Sequence, residues 1–586
     1  MYNFKISNNK EFYLSVFLIV IFQLILSFQG FDVCDDGFAL TFYQQIYNAP
    51  SSVEYNFVYW LTGIIGGIWH SIYQDGGILW FRFLTIICNT LTFIIAFKIL
   101  KQYINIHTAI IGLAMVVFVN DFGFLTFYHN HLTALLAVSG IYYLNKGITK
   151  NKYFAIAIAG FIFGVNVFSR LPNITLFIFV LAIPYMTYLR NEPLIKSVKP
   201  ILFFVMGIII GFILIFFMLY SLNHLVFMKN AILGLADLGI ADGSGHNISS
   251  MLKAYLYNYK TMITLFCKLL IISAFVLLLK GKLKDNRFAR IVISLIGIVL
   301  FTLLFSKGNI YIIYALGYFG VLGLLVTKQK NISIKMLALL GFLMLAFLPL
   351  GSGGGMHSSG YMCIWIAIPM FLHFLLQIIG VGFNLNIEHK VVSILISGAR
   401  IKHLSNMLVV AFFLSKSYSI SQEAYFDKGS RFSKVYSINN KYAKRIYTTK
   451  SRAEIINDVL DNLKPYVAPN DYLLAYDKIP MVHFLTETRP YMYNPWPWIY
   501  DSYSFKKNLD RAEKEIEVLP IIVQQKFETI GEFSAPMIDY LSEDKEISNN
   551  YDVGRVTVIN DFIERNNYKI VWSNLYFNIY QSNKKN

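Results

Sequence analysis

Three carboxylates crowd one short stretch, Asp32-Val33-Cys34-Asp35-Asp36-Gly37, directly after an apolar run long enough to cross a membrane. Carboxylates this close repel one another, so one titrates higher than its neighbour and the group can divide into a proton acceptor and a second role. A carboxylate at that depth is tolerated where it faces water and is costly where it faces lipid. The stretch reads either as a solvated acidic loop or as a general base or cation ligand in a cleft at the membrane surface.

A second polar group is Asn120-Asp121-Phe122-Gly123, followed by Tyr128-His129-Asn130-His131. Two residues apart, His129 and His131 do not share a helix face, which argues against a two-histidine metal site on one helix. Contacts to a phosphate or a sugar are the functional alternative to plain interfacial polarity. Arg82 and Arg170 stand at the ends of apolar runs, where a guanidinium fork either clamps a phosphate or snorkels to headgroups. Lys307 and His246 are weaker cases of the same kind. His357 lies in Gly351-Ser352-Gly353-Gly354-Gly355-Met356-His357-Ser358-Ser359-Gly360, a glycine-rich stretch that is either a turn or a place of close ligand approach. The chain has no phosphate-binding loop, no G-x-S-x-G, no H-E-x-x-H and no dinucleotide fingerprint after a strand, so nucleotide-driven transport and soluble-hydrolase chemistry have no support.

These residues need elements to hold them. Of 586 residues only 15% are charged and 56% are apolar. Apolar runs near 12–29, 79–99, 108–119, 131–145, 153–169, 173–189, 200–222, 263–280, 289–306, 309–327, 334–350, 361–382 and 403–415 predict a polytopic α-helical membrane protein with about thirteen transmembrane helices. The pattern excludes a soluble globular protein and an outer-membrane barrel, whose strands alternate every second residue. The first run follows Lys5 and Lys10 but precedes no small-x-small cleavage site, and it reads as an uncleaved first span.

The net charge of +17 comes from basic residues clustered in alternate loops, such as Lys280, Lys282, Lys284, Arg287 and Arg290, rather than from a nucleic-acid stripe. That asymmetry predicts a cytoplasmic N-terminus and a tail on the outer side. Nucleic acid is not an expected partner; membrane lipids are. The four cysteines form no disulfide framework and no zinc pattern.

The expected domains are 1–415, a transmembrane domain whose outside loop 30–77 carries the acidic motif and the amphipathic stretch 55–73, and 416–586, a small extracytoplasmic α/β domain. In the tail, apolar spacing predicts a helix over 451–463, a buried strand over 472–476 and another over 569–572.

Asp35-Asp36-Gly37 resembles the Asp-Glu or Asp-Asp motif of the GT-C superfamily of membrane glycosyltransferases, which includes protein O-mannosyltransferases and bacterial transferases that decorate lipid A. The layout is similar throughout. Trp80-Phe81-Arg82-Phe83 opens the second span, Gly160-Phe161-Ile162-Phe163-Gly164 through Ser169-Arg170-Leu171-Pro172 resembles the family's glycine-containing fifth span, and Tyr476-Asp477-Lys478-Ile479-Pro480 through Phe484-Leu485-Thr486-Glu487-Thr488-Arg489-Pro490 resembles its tail segment. The resemblance implies a hexosyl- or pentosyltransferase of the cell inner (plasma) membrane. It would move a sugar, with inversion, from a polyprenyl-phosphate donor to a hydroxyl on a lipid, glycan or protein.

It also implies that Asp35 is the base. Asp36 stands where many members have Glu, and Asp32 lies outside the motif as a rival. Asp32, Arg82, His129, His131, Arg170, His246, Lys307 and His357 are the expected substrate-binding residues. Members differ in whether they use a divalent cation, and no cofactor is otherwise implied. The alternatives are a polysaccharide polymerase or ligase of another polytopic class, or a transporter or flippase of lipid-linked sugars. The first relies on large central outside loops instead of a folded tail. The second needs ionisable residues or broken helices at mid-membrane, where only Lys268 and His373 stand out.

Overall fold

The computed structural model describes residues 9–119, 125–240, 248–283, 286–329, 331–350, 352, 355–381, 383–385, 394–396, 398–526 and 553–583. The apolar runs form helices α1 (Asn9–Leu26), α4 (Gly77–Leu100), α5 (Ile106–Phe118), α6 (His129–Thr149), α7 (Tyr153–Asn166), α8 (Ala182–Leu189), α9 (Val198–Ser221), α11 (Ile248–Lys282), α12 (Arg287–Val326), α13 (Ile332–Phe347), α15 (Ala367–Val381) and α16 (Gly398–Gln422). Between them lie α2 (Asp35–Gln45), α3 (Trp60–Ile72), α10 (Leu225–Ile240) and α14 (Met356–Cys363). Polar residues in the short connections start the helices. Asn105, Asn286 and Asn331 each accept a hydrogen bond from a first-turn backbone N–H of α5, α12 and α13.

Among the described residues, five helices are long and apolar enough to cross a membrane: Gln74–Leu100, Leu171–Leu189, Leu194–Ser221, Ile248–Lys282 and Arg287–Gly308. Several other expected spans are shorter apolar helices, and thirteen separate crossings do not follow from the structure. One reason is local. The runs at 289–306 and 309–327 join in α12, a single helix of 40 residues. Lys307 therefore lies inside a helix and not in a loop, because one polar trio, Lys307-Gly308-Asn309, does not break helical hydrogen bonding.

Helices α7 and α9 approach closely. A Cβ on Gly160 would lie 2.0 Å from the carbonyl oxygen of Phe204, and one on Gly207 would lie 2.0 Å from that of Ala157. Small residues permit such backbone contact where lipid supplies no hydrophobic drive. The glycines of the 160–164 segment thus serve packing.

The tail contains α17 (Lys450–Leu463), α18 (Met481–Thr486), α19 (Ser502–Glu515) and a last helix, Val553–Arg565. Two antiparallel pairs, β1 (Phe383–Leu385) with β2 (Ile394–Ile396) and β3 (Tyr436–Ser437) with β4 (Tyr447–Thr448), precede its main sheet. That sheet comprises β5 (Tyr472–Tyr476), β6 (Arg489–Pro490), β7 (Ile521–Gln525), β8 (Tyr568–Ser573) and β9 (Phe577–Ser582) in the order β6-β5-β7-β9-β8. Strand β5 is parallel to both neighbours, while β9 is antiparallel to both of its own.

One apolar core lies among the long helices. A second joins the tail to the segment after α1: Phe31, Phe38, Phe42, Phe57 and Trp60 share it with Leu473, Phe484, Tyr491 and Ile522. The stretch 55–73 divides accordingly. Phe57, Trp60 and Ile64 pack inward, whereas Ile68, Ile72 and Tyr73 stay exposed. Gly37 lets α18 reach α2, since a Cβ there would overlap the backbone nitrogen of Met481 at 2.1 Å. The same seam carries Met481 N–H to the Val33 carbonyl, 3.1 Å, and Gly30 N–H to the Tyr447 carbonyl, 2.8 Å.

Candidate functional site

The three carboxylates separate by direction. Asp32 precedes α2 and accepts the backbone N–H groups of Cys34 and Asp36, each at 2.8 Å. It thereby satisfies helix-start donors that would otherwise be orphaned. Asp32 is buried, and burial followed by the charges of Asp36 and Asp35 raises its pKa well above the carboxylate range. It holds the turn and is not among the residues that line the cavity onto which Asp35 opens.

Asp36 points elsewhere. The Thr126 hydroxyl donates to its Oδ2 at 2.7 Å, and Nη2 of Arg82 lies 3.6 Å from the same oxygen. Its Oδ1 has no hydrogen-bond partner among the described residues. Arg82 in turn donates to the carbonyls of Ser27 at 2.6 Å and Gly30 at 2.7 Å. These bonds tie α4 to the end of α1, while the Arg82 Nε has no hydrogen-bond partner among the described residues. Arg82 is not among the cavity's lining residues, contrary to the expected phosphate clamp.

Asp35 alone of the three opens onto a cavity of about 370 Å³. The Tyr425 hydroxyl donates to Oδ2 at 2.6 Å, and the Tyr128 hydroxyl lies 3.5 Å from Oδ1. Its pKa rises to about 6. Burial is the main cause, the neighbouring Asp36 charge adds to it, and the two tyrosine hydrogen bonds oppose it. A carboxylate poised there is charged at neutral pH and basic enough to take a proton.

Arg170 lines the same cavity. It follows α7 and a short 3-10 turn, held by a buried polar knot. Ser169 donates to the Asn166 carbonyl at 2.7 Å, and Asn173 donates to Thr133 Oγ1 at 2.8 Å and to the Asn166 carbonyl at 3.0 Å. Arg170 is 5% exposed, and its Nη1 has no hydrogen-bond partner among the described residues. An unpaired buried guanidinium is costly unless an anion completes it.

His129 and His357 also line the cavity. The His129 ring stacks on Tyr59 with centroids 4.1 Å apart. His131 instead accepts the Tyr128 backbone N–H through Nδ1 at 3.2 Å, closing the start of α6, and is not among the lining residues. Lys307 is exposed on α12 and is likewise absent from the lining. His246 and the segment 120–124 lie outside the described residues.

The sequence reading missed most of the aromatic side of the cavity. Tyr59, Tyr425, Trp496 and Trp498 line it beside Tyr128. Trp496 and Trp498 stack with centroids 5.3 Å apart, and the Lys478 ammonium lies 4.8 Å from the Trp498 ring. The run Trp496-Pro497-Trp498 was the available signal, since aromatic faces beside hydrogen-bonding groups suit ligand binding.

Among the described residues, no group of three His, Cys, Asp or Glu converges as a metal site. The oxygens of Asp35 already face two tyrosine hydroxyls.

No family model matches the sequence, and no curated protein matches it. Among solved structures, the crystal structure of the Archaeoglobus fulgidus oligosaccharyltransferase in complex with Zn and sulfate is similar with a TM-score of 0.44 and 11% identity, over 87% of this chain and 68% of that one.

Proposed function

We propose that the protein is a membrane glycosyltransferase of the GT-C type, acting at the outer face of the membrane. It takes a hexose or pentose from a polyprenyl-phosphate donor and passes it to a hydroxyl acceptor. The observation that carries this reading is one cavity that holds both a carboxylate shifted toward neutrality, Asp35, and a buried unpaired guanidinium, Arg170.

In the proposed reaction, Asp35 accepts the proton of the acceptor hydroxyl as its oxygen bonds to the anomeric carbon. The bond from that carbon to the phosphate oxygen breaks, and the lipid phosphate leaves with the electron pair. Arg170 meets the charge that develops on the departing phosphate. A phosphate needs little acid assistance, whereas a hydroxyl of high pKa gains from a base within hydrogen-bond reach. Asp35 is the one carboxylate among the described lining residues, which suits a single displacement with inversion, because a double displacement needs a second carboxylate as nucleophile. The tryptophan pair offers a flat apolar face for a sugar ring. Cavity walls from both α2 and the tail favour holding donor and acceptor together, the source of the proximity gain.

The test is transfer of labelled sugar from polyprenyl-phosphate donors into the lipid, glycan and protein fractions of the envelope by purified protein. Asp35→Asn should lower turnover ~10²–10⁴-fold. Unchanged turnover by that variant removes Asp35 as base and sinks the reading.

A further inference from the structure

A second cavity, of about 100 Å³, lies where α11, α12 and α16 meet. Its rim carries Lys280, Arg290, Arg400 and His403, and its floor is Val276, Leu277, Leu404 and Met407. The Lys280 ammonium donates to Ser294 Oγ at 2.7 Å, which fixes it at the seam of α11 and α12. The Arg400 guanidinium lies against the last turn of α11, 3.4 Å from where a Cβ on Gly281 would stand. Met407 and Val276 close over Gly297 below. The surrounding sequence is basic as a whole. Residues 280–290 contain Lys280, Lys282, Lys284, Arg287 and Arg290 against the single acid Asp285, and Lys402 adds to the α16 side.

The depth of the cavity follows from helix geometry. Asn258 packs on Gly355 beside α14, which carries His357 of the catalytic cavity. Lys280 comes 22 residues later in the same unbroken helix, α11. At 1.5 Å per residue that is about 33 Å, the thickness of a bilayer's hydrocarbon core. The basic rim therefore sits at the opposite membrane face from Asp35, with cationic groups at the water side and apolar groups toward the hydrocarbon.

We propose that this cavity binds the phosphate headgroup of an anionic phospholipid in the leaflet opposite the catalytic cavity. The chemistry recognised is a phosphodiester carrying acyl chains: cationic rims between transmembrane helices attract acidic headgroups, and the apolar floor accepts the glycerol and upper acyl carbons. A free phosphate would meet the rim but gain nothing from the floor. The proposal does not depend on sugar transfer, so its failure leaves the catalytic reading intact, and the reverse also holds.

Native mass spectrometry of the full-length protein in detergent tests it, with phosphatidylglycerol, phosphatidylcholine and inorganic phosphate as probes. Phosphatidylglycerol should be retained at least about tenfold more tightly than phosphatidylcholine and should survive excess phosphate. The double variant Lys280→Gln/Arg400→Gln should weaken its retention by roughly 25-fold, about fivefold for each cation lost. Arg400→Lys, which keeps the charge, should retain most of it and guards against a folding defect. Lys196→Ala/Lys199→Ala, in a separate basic groove, should leave it unchanged. Equal retention of phosphatidylcholine, full displacement by phosphate, or equal losses in the two double variants would each overturn the proposal.

Discussion

The hydroxyl of Tyr425 donates a 2.6 Å hydrogen bond to Oδ2 of Asp35, joining residues 390 positions apart in the chain. Donation to the charged carboxylate favours that form and opposes the rise caused by burial. Asp35 must be ionised to accept a proton, so activity should rise with pH through about 6. Tyr425→Phe removes the opposing bond, raises the pKa further and should move the acid limb to higher pH. The rate near pH 6 should fall on the order of tenfold while the plateau at high pH changes less. A pH–rate profile of kcat/KM checks this, and an unmoved limb would show that the bond does not tune the base.

Asp36→Asn should move the limb the other way. The Asp36 charge raises the pKa of Asp35, so its removal lowers that pKa and extends activity to lower pH. The same pH–rate series reads it out.

Arg170→Ala should lower kcat by ~10²–10³-fold, the usual cost of losing a group that stabilises transition-state charge. Arg170→Lys should restore only part of the loss, because an ammonium lacks the planar fork. Steady-state kinetics with a polyprenyl-phosphate donor decide. A change confined to KM would place Arg170 in uniform substrate binding instead.

Arg82→Met should act on stability. It leaves the buried Asp36 without its cationic neighbour and frees the carbonyls of Ser27 and Gly30. A loss of roughly 3–5 kcal/mol is expected from breaking a buried pair on one side. A marked drop in thermal midpoint checks it, and a midpoint within a degree of wild type would contradict the role assigned here.

Gly37→Ala should disturb the docking of α18 on α2, since the new methyl meets backbone and not a yielding side chain. Overpacking of this kind costs about 1–3 kcal/mol. Faster limited proteolysis between residues 423 and 450, with α1 to α16 still intact, is the expected result.

The sequence made some of this legible and hid the rest for physical reasons. The helix at Lys450–Leu463 and the strand at Tyr472–Tyr476 match their predicted bounds to within a residue, because their apolar spacing is local and their burial one-sided. The acidic motif identified a place but not a direction. Asp35 and Asp36 open α2, where adjacent residues differ by about 100° around the axis, so only one faces the cavity. Asp32, a rival outside the motif, has its oxygens committed to helix-start amides. Arg82 and Arg170 share a residue type and a position near helix ends. What separates them is that carbonyls and Asp36 reach Arg82 while Arg170 lines the cavity, a difference of tertiary contact alone. Tyr425 was invisible for the same reason, and the run Trp496-Pro497-Trp498 did not by itself tell that it meets α2 from across the chain.

The stitching of residues 28–37 to the tail has a practical consequence. Phe31 N–H binds Asp427, Arg452 binds the Phe31 carbonyl, and the Cys34 thiol meets the Lys478 carbonyl. A fragment truncated after α16 would keep its long helices yet lose every one of these anchors, along with Tyr425. The tail is thus no detachable accessory: severing it dismantles the scaffold around Asp35, and co-expressing both halves is the least that restoration would demand.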